Sequence, residues 1–126
     1  MILPFTGTTP TRGTPDSAGL DLRVASIDRN IVHTGLCVAI PEGNFGMIVP
    51  RSSLGAKGLF LMNTVGIIDS DYRGEILLHI AGYVPVVGER IAQLVIVPYV
   101  HVDPIEVTAL DTTERGDGGF GSTGKD

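Results

Sequence analysis

Asp69, Ser70, Asp71, Tyr72 and Arg73 stand in a row, between the apolar run Val65-Gly66-Ile67-Ile68 and the one that resumes at Ile76 after Gly74-Glu75. Asp, Ser and Gly favour turns and the β-branched flanks favour strands, so the stretch reads as a hairpin-like turn. Two carboxylates, a phenol and a guanidinium packed this closely exceed what a bare turn requires. The plain alternative is a charged surface turn, since loops carry both punctuation and function. A second such stretch is Arg51-Ser52-Ser53-Leu54-Gly55, directly after an apolar strand. An arginine followed by small hydroxyl residues and glycine suits anion binding, with Ser52 and Ser53 capping or opening a short helix. The same residues also fit an ordinary capped helical turn.

Further candidates lie later in the chain. Gln93 is the lone amide in the apolar run Arg90 to Val97, so it belongs either to a core hydrogen-bond network or to a ligand contact. The end of the chain, from Glu114, carries Arg115, Phe120 and several hydroxyls among closely spaced glycines. Such a tail is flexible when free, yet it can order over a nucleotide and stack its ring on a base. The sequence GxxxxGK over 119–125 lacks the following Ser or Thr and any helix, and the tripeptide 115–117 matches an adhesion motif by letters only; both are rejected.

The elements that must hold these residues are strands. Ala18 to Ala25 alternates, with Leu20, Leu22 and Val24 on one face and Asp21, Arg23 and Ala25 on the other. Asp21 there is solvated or paired with an arginine, or it orients an arginine or a metal-bound water. Ile31-Val32, Leu36 to Ile40, Phe45 to Val49, Glu75 to Ile80, Arg90 to Val97 and Pro98 to Val107 complete the extended segments. Phe45, Met47 and Val49 share one face; Ile76, Leu78 and Ile80 point inward. Arg90 to Val97 is the longest strand and is apolar on both faces, as in a strand covered on both sides. Seventeen glycines, eight prolines and many β-branched residues suit one all-β domain. Mean hydropathy is positive, which implies a subunit interface in addition to a core.

Net charge is −5 and the nine basic residues are scattered, which argues against a general nucleic-acid binder. Any nucleotide bound should be small and met by a local site. Cys37, the single cysteine, lies in an apolar run and reads as a buried small hydrophobe in a reducing compartment. No secretory signal or membrane span is expected, the apolar runs being far shorter than the roughly 18 residues a span needs. His33, His79 and His101 share no metal-ligand spacing and read as structural or solvated.

Five stretches in order resemble the homotrimeric dUTPase family: AGLDL (18–22), PRSSLGAKG (50–58), GIIDSDYRGEI (66–76), GERIAQLVIVP (88–98) and RGDGGFGSTG (115–124). The resemblance covers nearly the whole chain. It implies a jelly-roll-like β barrel over residues 1–113, a glycine-rich lid arm over 114–126, and a homotrimer with three sites shared between subunits. The activity it implies is hydrolysis of dUTP to dUMP and pyrophosphate, which keeps uracil out of DNA and supplies dUMP for dTMP synthesis. The chain is short for the family, with the trimming in loops and termini.

The resemblance also assigns roles. Asp69 matches the general base, a choice over Asp71 that the residues alone do not make. Arg51, Ser52, Ser53 and the Gly55 backbone match the phosphate cradle, and Gln93 matches a contact near the α-phosphate. Tyr72 matches the ring that packs on deoxyribose and excludes UTP. Asn63, Gly66, Ile67 and Leu77 match the nucleoside pocket, which would reject thymine's methyl and cytosine's donor pattern. Arg115, Phe120, Gly121, Ser122 and Thr123 match the arm that grips the γ-phosphate and stacks on uracil. Mg²⁺ is implied as cofactor, held by the triphosphate and waters with no direct protein ligand, and Asp21 supports that network. A cytoplasmic location is expected, or host cytoplasm or nucleus for a virus-encoded chain.

Two other readings stand beside this one. A dCTP deaminase shares the implied fold, but uses a catalytic glutamate and a longer chain. A trimer that regulates a partner protein would keep the fold while serving a second role.

Overall fold

The computed structural model describes residues 1–121, and these form an almost entirely antiparallel β structure. The strands are β1 (Phe5–Gly7), β2 (Leu20–Arg23), β3 (Ser26–Asp28), β4 (Ile31–His33), β5 (Leu36–Val38) and β6 (Asn44–Pro50). A short helix, α1 (Ser52–Gly55), precedes β7 (Phe60–Leu61), β8 (Gly66–Ile68), β9 (Leu77–Ala81) and β10 (Arg90–Pro98). They assemble as a sheet in the order β2-β10-β6-β8, a second in the order β3-β4-β9-β7, and the pair β1-β5.

Alternation in the sequence becomes inside and outside in the fold. Leu22 and Val24 are buried while Arg23 and Ala25 are exposed. Ile76, Leu78 and Ile80 are buried while Leu77 and His79 face out, so the inward set is as expected although β9 begins at Leu77. On β6 the core-facing residues are Asn44, Gly46 and Ile48, which leaves Phe45, Met47 and Val49 together on the half-buried face. Gly46 is a glycine for lack of room: a Cβ there would come within 2.8 Å of Ile40 Cδ1 and Leu94 Cδ1. Residues from both four-stranded sheets supply the core, with Val32, Ile76, Ile91 and Ala92 fully enclosed.

β10 is the central strand. It pairs with β2 on one edge and β6 on the other, Gln93 lying opposite both Asp21 and Val49. The register with β2 shifts between Arg90 and Ala92, leaving Ile91 as the extra residue of a β-bulge. The bulge explains why two successive residues, Ile91 and Ala92, both point into the core.

Several expectations are corrected. β8 and β9 do not pair, because β8 joins β6 while β9 joins β4 and β7. The acidic turn between them is therefore a crossing from one sheet to the other and not a hairpin. Cys37 is half-buried, since the alternation that buries Leu36 and Val38 turns its thiol to the opposite face. The outer face of β10, with Gln93, Val95 and Val97, is half-exposed in the single chain. Pro98 to Val107 adds no strand after β10 among the described residues, and Val100, Val102 and Ile105 are largely exposed.

Because Ile91 is enclosed on all sides, Ile91→Ala should cost about 2–5 kcal/mol through lost burial and the cavity left behind. A lowered thermal midpoint with unchanged circular dichroism at low temperature is the expected result.

Candidate active site

The first cluster of site residues lies where β2, β6 and β10 meet. β6 ends at Pro50, opposite Ala92, and the two preceding residues of β10 offer their carbonyls to the residue that follows. Arg51 takes both: its backbone N–H donates to Ile91 O at 3.1 Å and its Nη1 to Arg90 O at 3.2 Å. Its Nε also lies 3.7 Å from Asp21 Oδ1. Arg90 Nη1 approaches the other oxygen, Asp21 Oδ2, at 3.4 Å. Asp21, with a side chain only 12% exposed, thus serves two guanidinium groups and leaves the cluster with one net positive charge. Arg90 was not singled out from the sequence; it is the only cation inside β10, which was the available signal.

Gln93 stands beside Asp21 in register, yet its side chain makes no hydrogen bond with another described residue. The core-network alternative therefore falls away. The amide rests against Gly19, where a Cβ would lie 2.4 Å from Gln93 Oε1. That contact accounts for the glycine in the AGLDL stretch.

Ser52 and Ser53 open α1 and are exposed, but neither caps it: Arg51 holds the N-cap position, with no side-chain capping bond. The two serine amides fall at the helix positions that have no intrahelical acceptor. The Gly55 amide differs, for it donates to Arg51 O at 3.0 Å inside the turn. Its backbone N–H is thus not free for an anion, although the space over Gly55 is open.

A second cluster surrounds two adjoining cavities that share Ile67, Ile68 and Leu77. The larger, of about 440 Å³, is walled by Asn63, Gly66 and Ile67 with Ile48, Met62 and His79. Gly66 lies close against β6, since a Cβ would sit 3.0 Å from Ile48 Cβ. Thr64, next to Asn63, has φ +67°, a left-handed conformation costly for a β-branched residue. The smaller cavity, of about 220 Å³, brings Asp69, Tyr72 and Glu75 together against Ile67 and Leu77. Asp69, Asp71 and Tyr72 are all exposed. The Tyr72 hydroxyl donates to Glu75 O at 2.9 Å, and Arg73 Nη1 donates to Ser70 O at 2.7 Å.

Asp21, Arg51, Ser52, Ser53 and Gln93 line neither cavity. The described chain therefore holds two separate clusters, one cationic and one at a cleft. Arg115 folds back on its own loop through Nε to Gly118 O, while the Phe120 ring is fully exposed and Gly121 follows it. Ser122 and Thr123 lie outside the described residues.

Glu75 is a second residue the sequence reading passed over. Its Oε1 meets His33 Nδ1 at 3.0 Å and its Oε2 accepts from the Gly35 N–H at 2.8 Å. These bonds, that from His33 foremost, hold its carboxyl below the ordinary value of 4.5. No local signal marks this pairing, as His33 and Glu75 are 42 residues apart.

Comparison with known proteins bears on the same residues. Residues 6–124 match the dUTPase family model. A deoxyuridine 5'-triphosphate nucleotidohydrolase of Corynebacterium glutamicum is 46% identical over 129 residues, covering 92% of this chain and 87% of its own. Among solved structures, the Staphylococcus bacteriophage 80alpha dUTPase with dUPNHPP aligns with a TM-score of 0.81 at 26% identity, over 98% of both chains. A mutant dUTPase from phage phi11 of S. aureus, described with a coordinated structural Mg(II) ion, aligns with a TM-score of 0.72 at 22% identity, over 86% of this chain and 98% of its own. The likeness establishes the jelly-roll β fold.

A carboxyl held below its unfolded value adds stability that is complete above that value and lost as pH falls through the folded one. The gap in thermal midpoint between the native chain and Glu75→Gln should therefore be steady above pH 4.5 and narrow below it. A gap that stayed constant in acid would contradict the pairing.

Proposed function

The chain belongs to the dUTPase family, and from that premise we propose that its two half-sites meet between subunits of a homotrimer to hydrolyse dUTP. The chain is a dUTP diphosphatase: it converts dUTP to dUMP and pyrophosphate. The observation that carries the site assignment is the pair of adjoining cavities, which bring a carboxylate and a phenol to the rim of a cleft sized for a nucleoside. The cationic cluster of Arg51, Arg90 and Asp21 lies apart from that cleft, as a site completed by another subunit requires. The exposed apolar residues of 100–105 and the half-exposed face of β10 are fitting surfaces for such an assembly.

The proposed mechanism is displacement at the α-phosphorus. Asp69 accepts a proton from a water, whose oxygen bonds to the α-phosphorus as the bond to the α–β bridging oxygen breaks. Pyrophosphate leaves with that electron pair. A triphosphate carries about four negative charges, so positioning and neutralisation carry most of the catalysis. Arg51, steered by Asp21, supplies one fixed cation, and the exposed Ser52 and Ser53 offer hydroxyls and amides to phosphate oxygens. Gln93, an amide without a partner among the described residues, is suited to the α-phosphate region. Gly55 contributes open space and not an amide.

Mg²⁺ fits this donor set as a substrate-borne ion. The described residues contain no cluster of three His, Cys, Asp or Glu able to hold a metal, and Asp21 is already engaged by two arginines. When bound, the ion neutralises phosphate charge.

Tyr72 packs where a deoxyribose would rest, and a 2′-hydroxyl would meet its ring. Asn63, Gly66, Ile67 and Leu77 form walls around the base. The arm from Glu114 onward brings Arg115 to the γ-phosphate and Phe120 over uracil, closing the site from water. The fully exposed Phe120 ring is free to take that place. Relatives that are dUTP nucleotidohydrolases favour hydrolysis over a deaminase or a purely regulatory trimer.

Asp69→Asn should lower kcat by on the order of 10²–10⁴-fold while dUTP binding and trimer assembly stay nearly intact. Retention of most activity would make the assignment of the base wrong. Pyrophosphate should be released from dUTP and not from dCTP, dTTP or UTP, and Tyr72→Ala should admit UTP. Ammonia release from dCTP would instead place the chain with the deaminases.

A further inference from the structure

We propose that Glu75 is a positioning residue for the hydrolysis, clamping the turn that carries Asp69 and Tyr72 to the β4–β5 corner. The inference rests on the roles given to Asp69 and Tyr72 above.

The turn 69–76 needs such a clamp because no strand ladder fixes it. It leaves one sheet at Ile68 and enters the other at Leu77, so its shape depends on individual bonds. Within the turn, the Tyr72 N–H donates to Asp69 O at 3.1 Å and the Tyr72 hydroxyl to Glu75 O at 2.9 Å. Tyr72 thus hangs from the backbone of Glu75. Gly74 permits this: a Cβ there would sit 2.4 Å from the Tyr72 hydroxyl oxygen. Outside the turn, the anchors converge on Glu75 and its neighbour. Both carboxylate oxygens of Glu75 are engaged, one by His33 Nδ1 and one by the Gly35 N–H. Ile76 is tied to the same corner, its N–H donating to Leu36 O at 2.9 Å and its carbonyl accepting from Thr34 Oγ1 at 2.7 Å.

The corner is itself rigid. Gly35 has φ +66°, and a Cβ there would meet Thr8 Oγ1 at 2.8 Å. Thr34 is buried and spans the corner, its Oγ1 accepting from Leu36 N at 3.2 Å. Glu75 borders the cavity of Asp69 and Tyr72, but with both oxygens committed it is not placed to carry a proton. Its function is to transmit the rigidity of the corner to the turn. An ionised carboxylate only accepts hydrogen bonds, so His33 must donate from Nδ1.

The test uses the full chain with Glu75→Ala, Glu75→Gln and Asp69→Asn, measuring kcat and KM for dUTP and UTP together with the thermal midpoint. Displacing the base should lower kcat for dUTP in Glu75→Ala by about tenfold or more, while KM changes less. Its preference for dUTP over UTP should also fall, because the backbone carbonyl that holds Tyr72 loses its side-chain anchor. Glu75→Gln, which still accepts from Gly35 and can bond His33, should recover most of both. A merely structural role would lower the midpoint and leave kcat and discrimination unchanged in folded protein, and that result would overturn the proposal. Should Glu75→Ala fail to fold, His33→Ala removes one anchor and carries the same two expectations, with unchanged values again overturning it. Activity retained by Asp69→Asn would sink the base assignment separately. The clamp would then stand or fall on UTP discrimination in the Glu75 variants.

Discussion

The pairing of β10 with strands on both edges is the constraint on which the rest of the structure depends. A strand held by β2 and β6 has its backbone polar groups satisfied and can bury Ile91, Ala92 and Leu94 completely. Its one irregularity lies beside the cluster of Asp21, Arg51 and Arg90. The bulge at Ile91 interrupts the ladder with β2, while on the other edge Arg51 continues the β6 register and takes the Ile91 and Arg90 carbonyls. Arg51 is therefore held by the backbone of β10 as well as by Asp21. A guanidinium with fixed donors loses little freedom when it meets an anion, which suits the phosphate role proposed for Arg51.

An acidic chain that binds a polyanion must concentrate its cations locally, because net charge of −5 opposes the ligand at long range. In the proposed site the Asp21 cluster does this with two arginines on one carboxylate. The single acid keeps the guanidinium groups from repelling each other while leaving charge for the ligand. The cleft uses the opposite material, with Ile48, Ile67, Ile68 and Leu77 around a few polar groups. A triphosphate nucleotide has the same division, with an apolar base and sugar at one end and charge at the other. The cationic cluster and the cleft, kept apart within one chain, have the contrasting chemistry that the proposed shared site needs.

The strand faces were legible because alternation survives in a half-buried sheet: Leu22 with Val24, and Leu78 with Ile80, point as their spacing demands. The site residues were legible as a set only because five stretches resemble one family in order; singly, each had a plain reading. What the sequence could not show is pairing at a distance. β8 and β9 flank a short turn and look like a hairpin, yet each finds its hydrogen bonds in a different sheet. The bulge that aims Arg90 at Asp21 is an offset between β10 and β2, and nothing within β10 alone announces it. Cys37 was misread for a related reason, since an apolar run gives no parity until neighbouring strands set which side is the core. Glu75 escaped notice because its partners, His33 and Gly35, lie on a corner formed forty residues earlier.

The crossing from β8 to β9 carries a cost that the site puts to use. A hairpin would have fixed the turn by its own ladder but would have kept both flanking strands in one sheet. A crossing spans two sheets, so Ile67 and Leu77 face a common space from different layers, and that space is the cleft. The turn is then left without a ladder, and its geometry must come from side chains: Tyr72 on the Glu75 carbonyl, Arg73 on Ser70, Glu75 on the β4–β5 corner. This explains why so short a segment is dense in polar residues. Asp69 is left exposed at its start, close to solvent and free of competing partners among the described residues, while the groups around it hold the backbone still. The base role proposed for Asp69 needs that combination of a fixed backbone and an unoccupied carboxylate.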